Sequence, residues 1–344
     1  MRIGVLTSGG DCPGLNAVIR GVVRKVERVH GGVVVGFRDA WRGVLDDVYE
    51  VLDVNRCRGI LPRGGTILGT SRTQPYEFPD GVETVKATMA RHDLEGFIVI
   101  GGEGSLGAAR DLHKDGVPCI GVPKTIDNDI AGTDVTFGFD TAVHVASAAI
   151  DRLHTTAEAH DRVIVVEVMG RHVGHIAVWA GIAGGATMTL IPEVPFDIAE
   201  VCDALERRHA GMNYASIVVV AEGAMPAEGT LELPEYEVDR FGHQRLGGIS
   251  TLLASEIEGR TGIETRVTIL GHTQRGGTPT AYDRVLATRF GIAAADAAAA
   301  GDWGIMVALQ ANRITHVALD DVVGKLKGVD LEFFNEVARP FFAS

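Results

Sequence analysis

Short apolar runs recur along the chain, and stretches with the 3.6-residue periodicity of amphipathic helices separate them. Glycine, proline or polar residues bound the apolar runs, which is typical of strands buried on both faces. We predict strands at residues 3–6, 33–35, 97–100, 117–122, 163–168, 216–221 and 267–270. Strands that are apolar on both faces indicate parallel sheets covered by helices.

The intervening stretches predict helices at residues 17–29, 104–114, 141–156, 174–182, 198–209, 248–261 and 281–300. This alternation indicates an α/β fold of the doubly wound type, in which helices flank a mainly parallel sheet. At 344 residues the chain exceeds what one hydrophobic core usually organises, so we expect two such lobes with an active site in the cleft. We place residues 1–138 plus about 275–325 in one lobe, and 139–274 plus the C-terminal tail in the other. Residues 224–247 predict a loop or hairpin.

Composition and charge exclude several classes of function. Hydrophobic residues make up 46% of the chain and charged residues 22%, as in ordinary globular proteins. The formal net charge of −13 repels nucleic acid and anionic membranes, so we expect neither as a partner. The four cysteines form no CxxC pair, and we find neither a leader sequence nor a long apolar run. We therefore expect a cytoplasmic protein with reduced thiols.

Two predicted strands run into glycine turns that precede helices. The first turn is TSGGDCPGLNA, with Gly10 among its glycines, and the second is GGEGSLGAAR. Unpaired N–H groups and the macrodipole at a helix N-terminus favour phosphate. In the second turn, Gly102, Gly104 and Ser105 offer such groups, and Glu103 could bind Mg²⁺ directly or through water. Neither turn matches GxGxxG or GxxxxGK[ST]; a plain turn and a helix-capping Glu103 remain alternatives.

A third strand ends in PKTIDND, where Asp127 and Asp129 lie two residues apart beside Lys124 and Thr125. Strands of a doubly wound sheet present ligands at their carboxyl ends. This cluster could orient a hydroxyl group, accept its proton and anchor a metal. A solvated acidic turn is the alternative.

The second predicted lobe supplies arginines at strand ends and in glycine-flanked turns. Arginine forks match phosphate geometry, whereas a lone arginine more often forms a surface salt bridge. Glu222 follows a strand directly and could bind sugar hydroxyls or form a structural ion pair. The candidate phosphate-binding side chains are Arg162, Arg171, Arg266, His272 and Arg275.

Taken together and in order, seven segments resemble the signature segments of the phosphofructokinase family over nearly the whole chain. They are TSGGDCPGLN, GGTILGTSR, GGEGS, PKTIDND, MGRHVGH, AEG and ETRVTILGHTQRGG. The resemblance implies transfer of a phosphoryl group from ATP to the 1-hydroxyl of fructose 6-phosphate, with Mg²⁺, in glycolysis. The first lobe would then bind the donor and the second lobe the sugar phosphate.

The resemblance also implies residue roles. The implied donor-binding residues are Gly10, Arg72, Thr73, Gly102, Glu103, Gly104 and Ser105, with Glu103 as the Mg²⁺ ligand. The implied catalytic residues are Asp127 as the proton acceptor, with Thr125, Asp129 and Arg171. The implied sugar-binding residues are Thr125, Ile126, Asp127, Met169, Gly170, Arg171, Glu222, His272, Thr273, Gln274 and Arg275. Arg162 and Arg266 would reach the substrate phosphate across a subunit interface, which implies a homodimer or homotetramer.

The identity of the donor depends on two positions. In the family, a carboxylate at position 104 accompanies pyrophosphate use because it fills the space of the nucleotide α-phosphate, and Gly104 leaves that space open. Lys124 resembles the pyrophosphate-using relatives, and Glu103 replaces the more usual aspartate. We predict ATP, with pyrophosphate as the alternative.

Rival functions and regulation are less well supported. A non-catalytic sugar-phosphate sensor would not need the TIDND carboxylates, and a nicotinamide dehydrogenase would need the full GxGxxG fingerprint. Thr187, Gly211 and Asn213 stand where the bacterial effector site of the family carries charge. We therefore do not expect strong regulation by ADP or phosphoenolpyruvate.

Overall fold

The computed structural model describes residues 1–211, 215–232 and 248–341, and it divides into two compact units. Unit 1 comprises Met1–Thr141 and Arg275–Lys327, and unit 2 comprises Ala142–Gln274 and Gly328–Ser344. The predicted loop at 224–247 contains no helix or strand in its described part, and residues 233–247 lie outside the described residues. No helix of the described residues is long and apolar enough to span a membrane.

Strands and helices alternate through most of the described chain. The strands are β1 (Arg2–Ser8), β2 (Val33–Phe37), β3 (Tyr49–Leu52), β4 (Gly96–Gly101), β5 (Cys119–Thr125), β6 (Phe137–Gly138), β7 (Val163–Val168), β8 (Met188–Leu190), β9 (Ser216–Ala221), β10 (Thr265–Ile269), β11 (Ile305–Gln310) and β12 (Arg313–Ala318). The helices are α1 (Leu15–Arg28), α2 (Trp41–Leu45), α3 (Gly81–Arg91), α4 (Glu103–Lys114), α5 (Phe139–Ala159), α6 (His175–Ala183), α7 (Ile198–Ala210), α8 (Ile249–Thr261), α9 (Ala281–Ala300), α10 (Leu319–Val322) and α11 (Leu331–Phe333).

The sheet of unit 1 has the strand order β12-β11-β5-β4-β1-β2-β3, and β6 pairs with the end of β5. Its central strands are parallel, whereas β3 and β12 are antiparallel strands at its two edges. Strand β4 is buried along its whole length, because helices and loops cover both faces of the sheet centre. The predicted α/β organisation with a mainly parallel sheet is confirmed.

Helices α1 and α9 pack closely against each other in unit 1. The approach depends on two glycines, since a Cβ atom on Gly21 would lie 2.9 Å from the carbonyl oxygen of Thr288. A Cβ atom on Gly291 would lie 2.4 Å from the carbonyl oxygen of Val18. The helix backbones therefore touch where side chains would otherwise separate them.

Unit 2 contains a parallel sheet with the order β10-β7-β9-β8 among its described residues. Strands β7 and β9 are buried at every position, and their register aligns Val163 with Ser216 and Val168 with Ala221. One face of the sheet packs against buried residues of α7 and α8, including Leu205 and Leu253. The carboxyl ends of β7 and β9 consequently lie at the same edge.

Candidate functional site

The carboxyl ends of β1, β4 and β5 lie side by side in the sheet of unit 1. Ser8 pairs with Gly101, and Gly101 pairs with Pro123. The three turns singled out from the sequence therefore leave the sheet at one edge, which is where α/β sheets bind ligands.

The first turn is tied to the segment that contains Arg72 and Thr73. Gly9 has a left-handed φ of 83°, which glycine adopts without steric cost. Its N–H donates to the carbonyl oxygen of Ser71 at 2.9 Å, and its own carbonyl accepts from Thr70 Oγ1 at 2.6 Å. These bonds hold the segment that contains Arg72 beside the glycine turn, and the side chain of Arg72 is exposed.

Two cationic side chains converge on the same turn. Lys124 is buried at the end of β5, and its Nζ donates to the carbonyl oxygen of Gly10. Arg275 Nη1 donates to the carbonyl oxygen of Asp11 at 3.3 Å, and a Cβ atom on Gly10 would lie 2.9 Å from that nitrogen. Burial lowers the pKa of Lys124, and the charge of Arg275 acts in the same direction. Anionic oxygens placed here would meet two cations in a partly desolvated site.

Helix α4 begins at the second turn with Glu103 and Gly104, both of which are exposed. Gln74 Nε2 donates to the carbonyl oxygen of Gly104 at 3.5 Å, which joins the Arg72 segment to this helix start. A Cβ atom on Gly104 would meet no atom within 4 Å. The space beside the first turn of α4 is therefore open within the described residues.

Glu103 is the candidate metal ligand. Its Oε1 accepts from the N–H of Gly324 at 3.3 Å, and the described residues contain no cluster of three or more side chains suited to holding a metal. Mg²⁺ commonly takes one or two carboxylates and completes its shell with water and substrate phosphates. An exposed carboxylate at the N-terminus of a helix fits that ion.

The TIDND turn is braced by its own side chains. Thr125 Oγ1 accepts from the N–H of Asp127 at 3.0 Å. Asn128 adopts a left-handed φ of 56°, and its Oδ1 accepts from the N–H of Thr136 at 3.0 Å. Ile126 is buried and Asp127 is half-buried, so this turn is not the fully solvated acidic turn of the alternative reading.

In unit 2, predicted sugar-binding residues meet at the carboxyl ends of β7 and β9. The N–H of Met169 donates to Gln274 Oε1 at 3.3 Å, and the N–H of Glu222 donates to the carbonyl oxygen of Val168 at 2.9 Å. His272 and Thr273 lie in the 3₁₀ turn Gly271–Arg275, and their side chains are exposed.

The turn after β7 also packs against the turn after β9. The N–H of Gly223 donates to the carbonyl oxygen of Gly170 at 3.1 Å, and a Cβ atom on Gly223 would lie 1.9 Å from the carbonyl oxygen of Arg171. The backbone at Gly170 and Arg171 can therefore take this position only because residue 223 has no side chain.

We expect Gly223→Ala to destabilise unit 2 by about 1–3 kcal/mol, the usual cost of overpacking. The matched control is Gly259→Ala in the interior of α8, where a Cβ atom would meet nothing within 4 Å. That control should stabilise the protein by about 0.5–1 kcal/mol, because alanine has the higher helix propensity. Urea unfolding of both variants measures the difference, and equal midpoints would show that the turn has no such constraint.

Arg162 and Arg266 lie at the other end of the unit 2 sheet. Arg162 precedes β7, and Arg266 pairs with Ile164 near the start of β10. At about 3.3 Å per residue, Arg162 lies roughly 20 Å along the strand from Met169. Glu264 contacts both, at 3.0 Å from Arg162 Nη2 and 2.5 Å from Arg266 Nη2. The structure therefore does not bring these arginines to the Met169 edge of their own unit.

Of the three positions at which the sequence lacks the charges of a bacterial effector site, the structure describes two. Thr187 is buried, and its Oγ1 accepts from the N–H of Ile217 at 3.2 Å. Gly211 caps the C-terminus of α7, and Asn213 lies outside the described residues. The expectation of weak regulation stays a prediction.

Comparison with known proteins identifies the family. The family model described as Phosphofructokinase matches residues 2–298. The chain belongs to the phosphofructokinase family. It is 58% identical over 342 residues to a pyrophosphate–fructose 6-phosphate 1-phosphotransferase of Amycolatopsis methanolica, covering 99% of this chain and 100% of that protein. It is 56% identical over 336 residues to an ATP-dependent 6-phosphofructokinase of Corynebacterium efficiens, covering 96% of each.

A solved phosphofructokinase shares the fold. The Pichia pastoris phosphofructokinase in the T-state superposes with a TM-score of 0.83 at 30% identity. The match covers 93% of this chain and 35% of the yeast chain, so the present chain spans about a third of that relative. Membership of the phosphofructokinase family makes this chain a phosphotransferase, and these two bacterial relatives are named for different phosphoryl donors, pyrophosphate and ATP.

Asn16 is a residue of the site to which the sequence assigned no role. Asn16 Nδ2 donates to the carbonyl oxygen of Arg63 at 3.1 Å, and its Oδ1 accepts from the N–H of Ile67 at 2.8 Å. It thereby pins the loop that leads to the Arg72 segment. Its place within the quoted TSGGDCPGLN segment is a signal that could have identified it.

Proposed function

We propose that this enzyme transfers the terminal phosphoryl group of ATP to the 1-hydroxyl of fructose 6-phosphate, in the cytoplasm and with Mg²⁺. The observation that carries the proposal is the half-buried Asp127 carboxylate in a braced turn of the same sheet edge on which Lys124 and Arg275 converge. A proton acceptor beside a cationic phosphate site is what phosphoryl transfer to an alcohol requires.

In unit 1, one set of residues binds the phosphoryl donor and another acts on the attacking hydroxyl group. Backbone N–H groups at the start of α4 and the charges of Lys124, Arg72 and Arg275 offset negative charge on the transferred group. Glu103 would hold Mg²⁺, which neutralises phosphate oxygens when bound. Asp127 accepts the proton of the attacking hydroxyl, and Thr125 fixes the backbone N–H of that aspartate.

Unit 2 supplies the residues that we assign to the sugar phosphate. Met169, Gly170, Glu222 and the 3₁₀ turn with His272 to Gln274 lie at the carboxyl ends of its strands. Carboxylate, amide and imidazole groups suit sugar hydroxyls and phosphate oxygens, and Arg171 adds a bidentate cation.

ATP is the donor that the site favours, because the open space beside Gly104 leaves room for an α-phosphate. Pyrophosphate is the second candidate. It is supported by Lys124, whose buried ammonium group lies on the glycine turn, and by the similarity to the pyrophosphate–fructose 6-phosphate 1-phosphotransferase of Amycolatopsis methanolica.

Initial rates with fructose 6-phosphate, Mg²⁺ and either ATP or pyrophosphate test the proposal. Coupling the reaction to aldolase detects fructose 1,6-bisphosphate as it forms. We expect a higher kcat/KM with ATP. Turnover with pyrophosphate but not with ATP would support the second candidate. Binding of fructose 6-phosphate without product from either donor would support a non-catalytic sensor instead.

We further propose that Arg162 and Arg266 complete the site of a neighbouring subunit in a homodimer or homotetramer. Their distance from the Met169 edge of their own sheet supports this assignment. Glu264 pairs them in the single chain, and a substrate phosphate would compete for the same guanidinium groups.

Complementation between two inactive variants tests this exchange. Arg162→Ala and Asp127→Asn subunits, co-assembled at equal ratio, should regain about a quarter of wild-type activity if the oligomer is a dimer. One site of each hybrid would combine an intact Asp127 with an intact Arg162 from its partner. Hybrids with no activity above that of the two parents would show that Arg162 acts within its own chain.

A further inference from the structure

Lys327 is the last residue of unit 1 and lies against the TIDND turn. Its N–H donates to the carbonyl oxygen of Asp129 at 2.9 Å, and the preceding residue, Leu326, forms an antiparallel bridge with Ile130. The segment after α10 therefore runs along the segment that follows the predicted catalytic aspartate.

The Lys327 ammonium group makes a set of contacts that differs from a surface ion pair. Its Nζ donates to Asn128 Oδ1 at 2.8 Å and to the carbonyl oxygens of Thr133 and Asp134 at 2.9 Å each. An ammonium group has three donors, and these acceptors come from both ends of the segment between Asn128 and Asp134. The Lys327 side chain thus ties together the two ends of the segment 128–134, which directly follows Asp127.

Lys327 is partly buried, so its ammonium group is partly removed from water. Burial lowers the pKa of Lys327 to about 8, and the nearby carboxylates of Asp134 and Asp129 act in the opposite direction. Removing an ammonium group from water is unfavourable unless acceptors replace its hydration shell. The three oxygen acceptors do so, and they are grouped around one turn.

Asn128 connects the Lys327 contacts to the predicted general base. Its Oδ1 accepts from Lys327 Nζ and also from the N–H of Thr136, while its own backbone holds a left-handed φ of 56°. Asparagine tolerates this conformation better than most non-glycine residues, and the two bonds to its Oδ1 hold the side chain in one place. Because Asn128 directly follows Asp127, displacing it would move the carboxylate.

We propose that Lys327 is a positioning residue for phosphoryl transfer, which holds the Asn128 turn so that Asp127 stays in place to accept the hydroxyl proton. This inference rests on the function proposed above. A displacement of about 1 Å at a reacting group can cost about 100-fold in rate. Lys327 itself need not touch either substrate.

Lys327→Met removes the donors and keeps an unbranched side chain of similar length. We expect it to lower kcat by about 10²-fold, with KM for fructose 6-phosphate changed by no more than about twofold. The matched control is Lys325→Met, since Lys325 is exposed and its Nζ lies 3.9 Å from the carboxylate of Asp321, which is also exposed. That control should keep wild-type kcat.

A double-mutant cycle with Asp127→Asn separates positioning from general loss of folded enzyme. If Lys327 acts through Asp127, Lys327→Met should change kcat by no more than about twofold in the Asp127→Asn background. An equal loss in both backgrounds, or unchanged kcat in the single variant, would overturn the inference. Should Lys327→Met fail to fold, Asn128→Gly removes the Oδ1 acceptor while permitting the left-handed φ, and the same cycle applies.

The activity of the wild-type enzyme distinguishes a failure of the Lys327 proposal from a failure of the proposed function. Wild-type turnover of fructose 6-phosphate together with an additive cycle would contradict the role of Lys327 alone. Absence of wild-type turnover with either donor would contradict the proposed function itself.

Discussion

Asp127→Asn should lower the turnover number by about 10²- to 10⁴-fold, the usual contribution of a positioned general base. Asparagine keeps the size of the side chain and leaves the bond from the Asp127 N–H to Thr125 Oγ1 intact, but it cannot accept the hydroxyl proton. Affinity for fructose 6-phosphate should be largely retained, because other residues are assigned to the sugar. Single-turnover rates and calorimetric binding to the same preparation measure the two effects separately.

The control for this prediction is Asp321→Asn, which neutralises an exposed carboxylate of unit 1 whose Oδ1 lies 3.9 Å from Lys325 Nζ. It should leave kcat unchanged, since exposed ion pairs contribute little. Near-normal turnover of Asp127→Asn would refute the role of Asp127 as general base.

Gly104→Asp should reverse the preference for the donor, lowering kcat/KM for ATP by about 10²-fold or more. An added carboxylate at the first turn of α4 enters space that is open in the described structure, and it would face the α-phosphate of a nucleotide. Like charges brought together in a binding site cost several kcal/mol. Activity with pyrophosphate should fall less, because pyrophosphate has no α-phosphate with a nucleoside attached. Initial rates with both donors measure the ratio.

Gly104→Asn controls for size, since the amide fills the same space without a charge. We expect it to lower ATP use less than the aspartate does. If Gly104→Asp retains wild-type kcat/KM for ATP, the open space beside α4 does not receive the nucleotide and the assignment of the donor is wrong.

The hydrophobic pattern predicted the centre of each sheet better than its edges. The runs at 3–6, 97–100 and 163–168 lie within β1, β4 and β7, which are buried over almost their whole length. Strand β12 was missed because all six of its residues are partly or fully exposed, so its sequence lacks a buried apolar run. Strand β5 begins at Cys119 rather than at residue 117, because the N–H of Val117 donates to Leu112 and closes the turn after α4.

Side-chain partners distant in sequence could not be predicted. The glycine and TIDND turns are visible as motifs, and their grouping follows once β1, β4 and β5 are neighbours. Nothing in the sequence near Lys327 marks it as a partner of Asn128, since an isolated lysine is usually a solvated charge. Likewise, Arg275 belongs to the quoted GHTQRGG segment, but its contact with Asp11 becomes evident only from the fold.

A crystal structure with fructose 6-phosphate, Mg²⁺ and a non-hydrolysable ATP analogue tests the central claim most directly. The account predicts a carboxylate oxygen of Asp127 within about 2.6–3.2 Å of the 1-hydroxyl oxygen, or one water molecule away, with the polyphosphate on the turns after β1 and β4. A nucleotide bound elsewhere, or an Asp127 carboxylate remote from the 1-hydroxyl group, would contradict it.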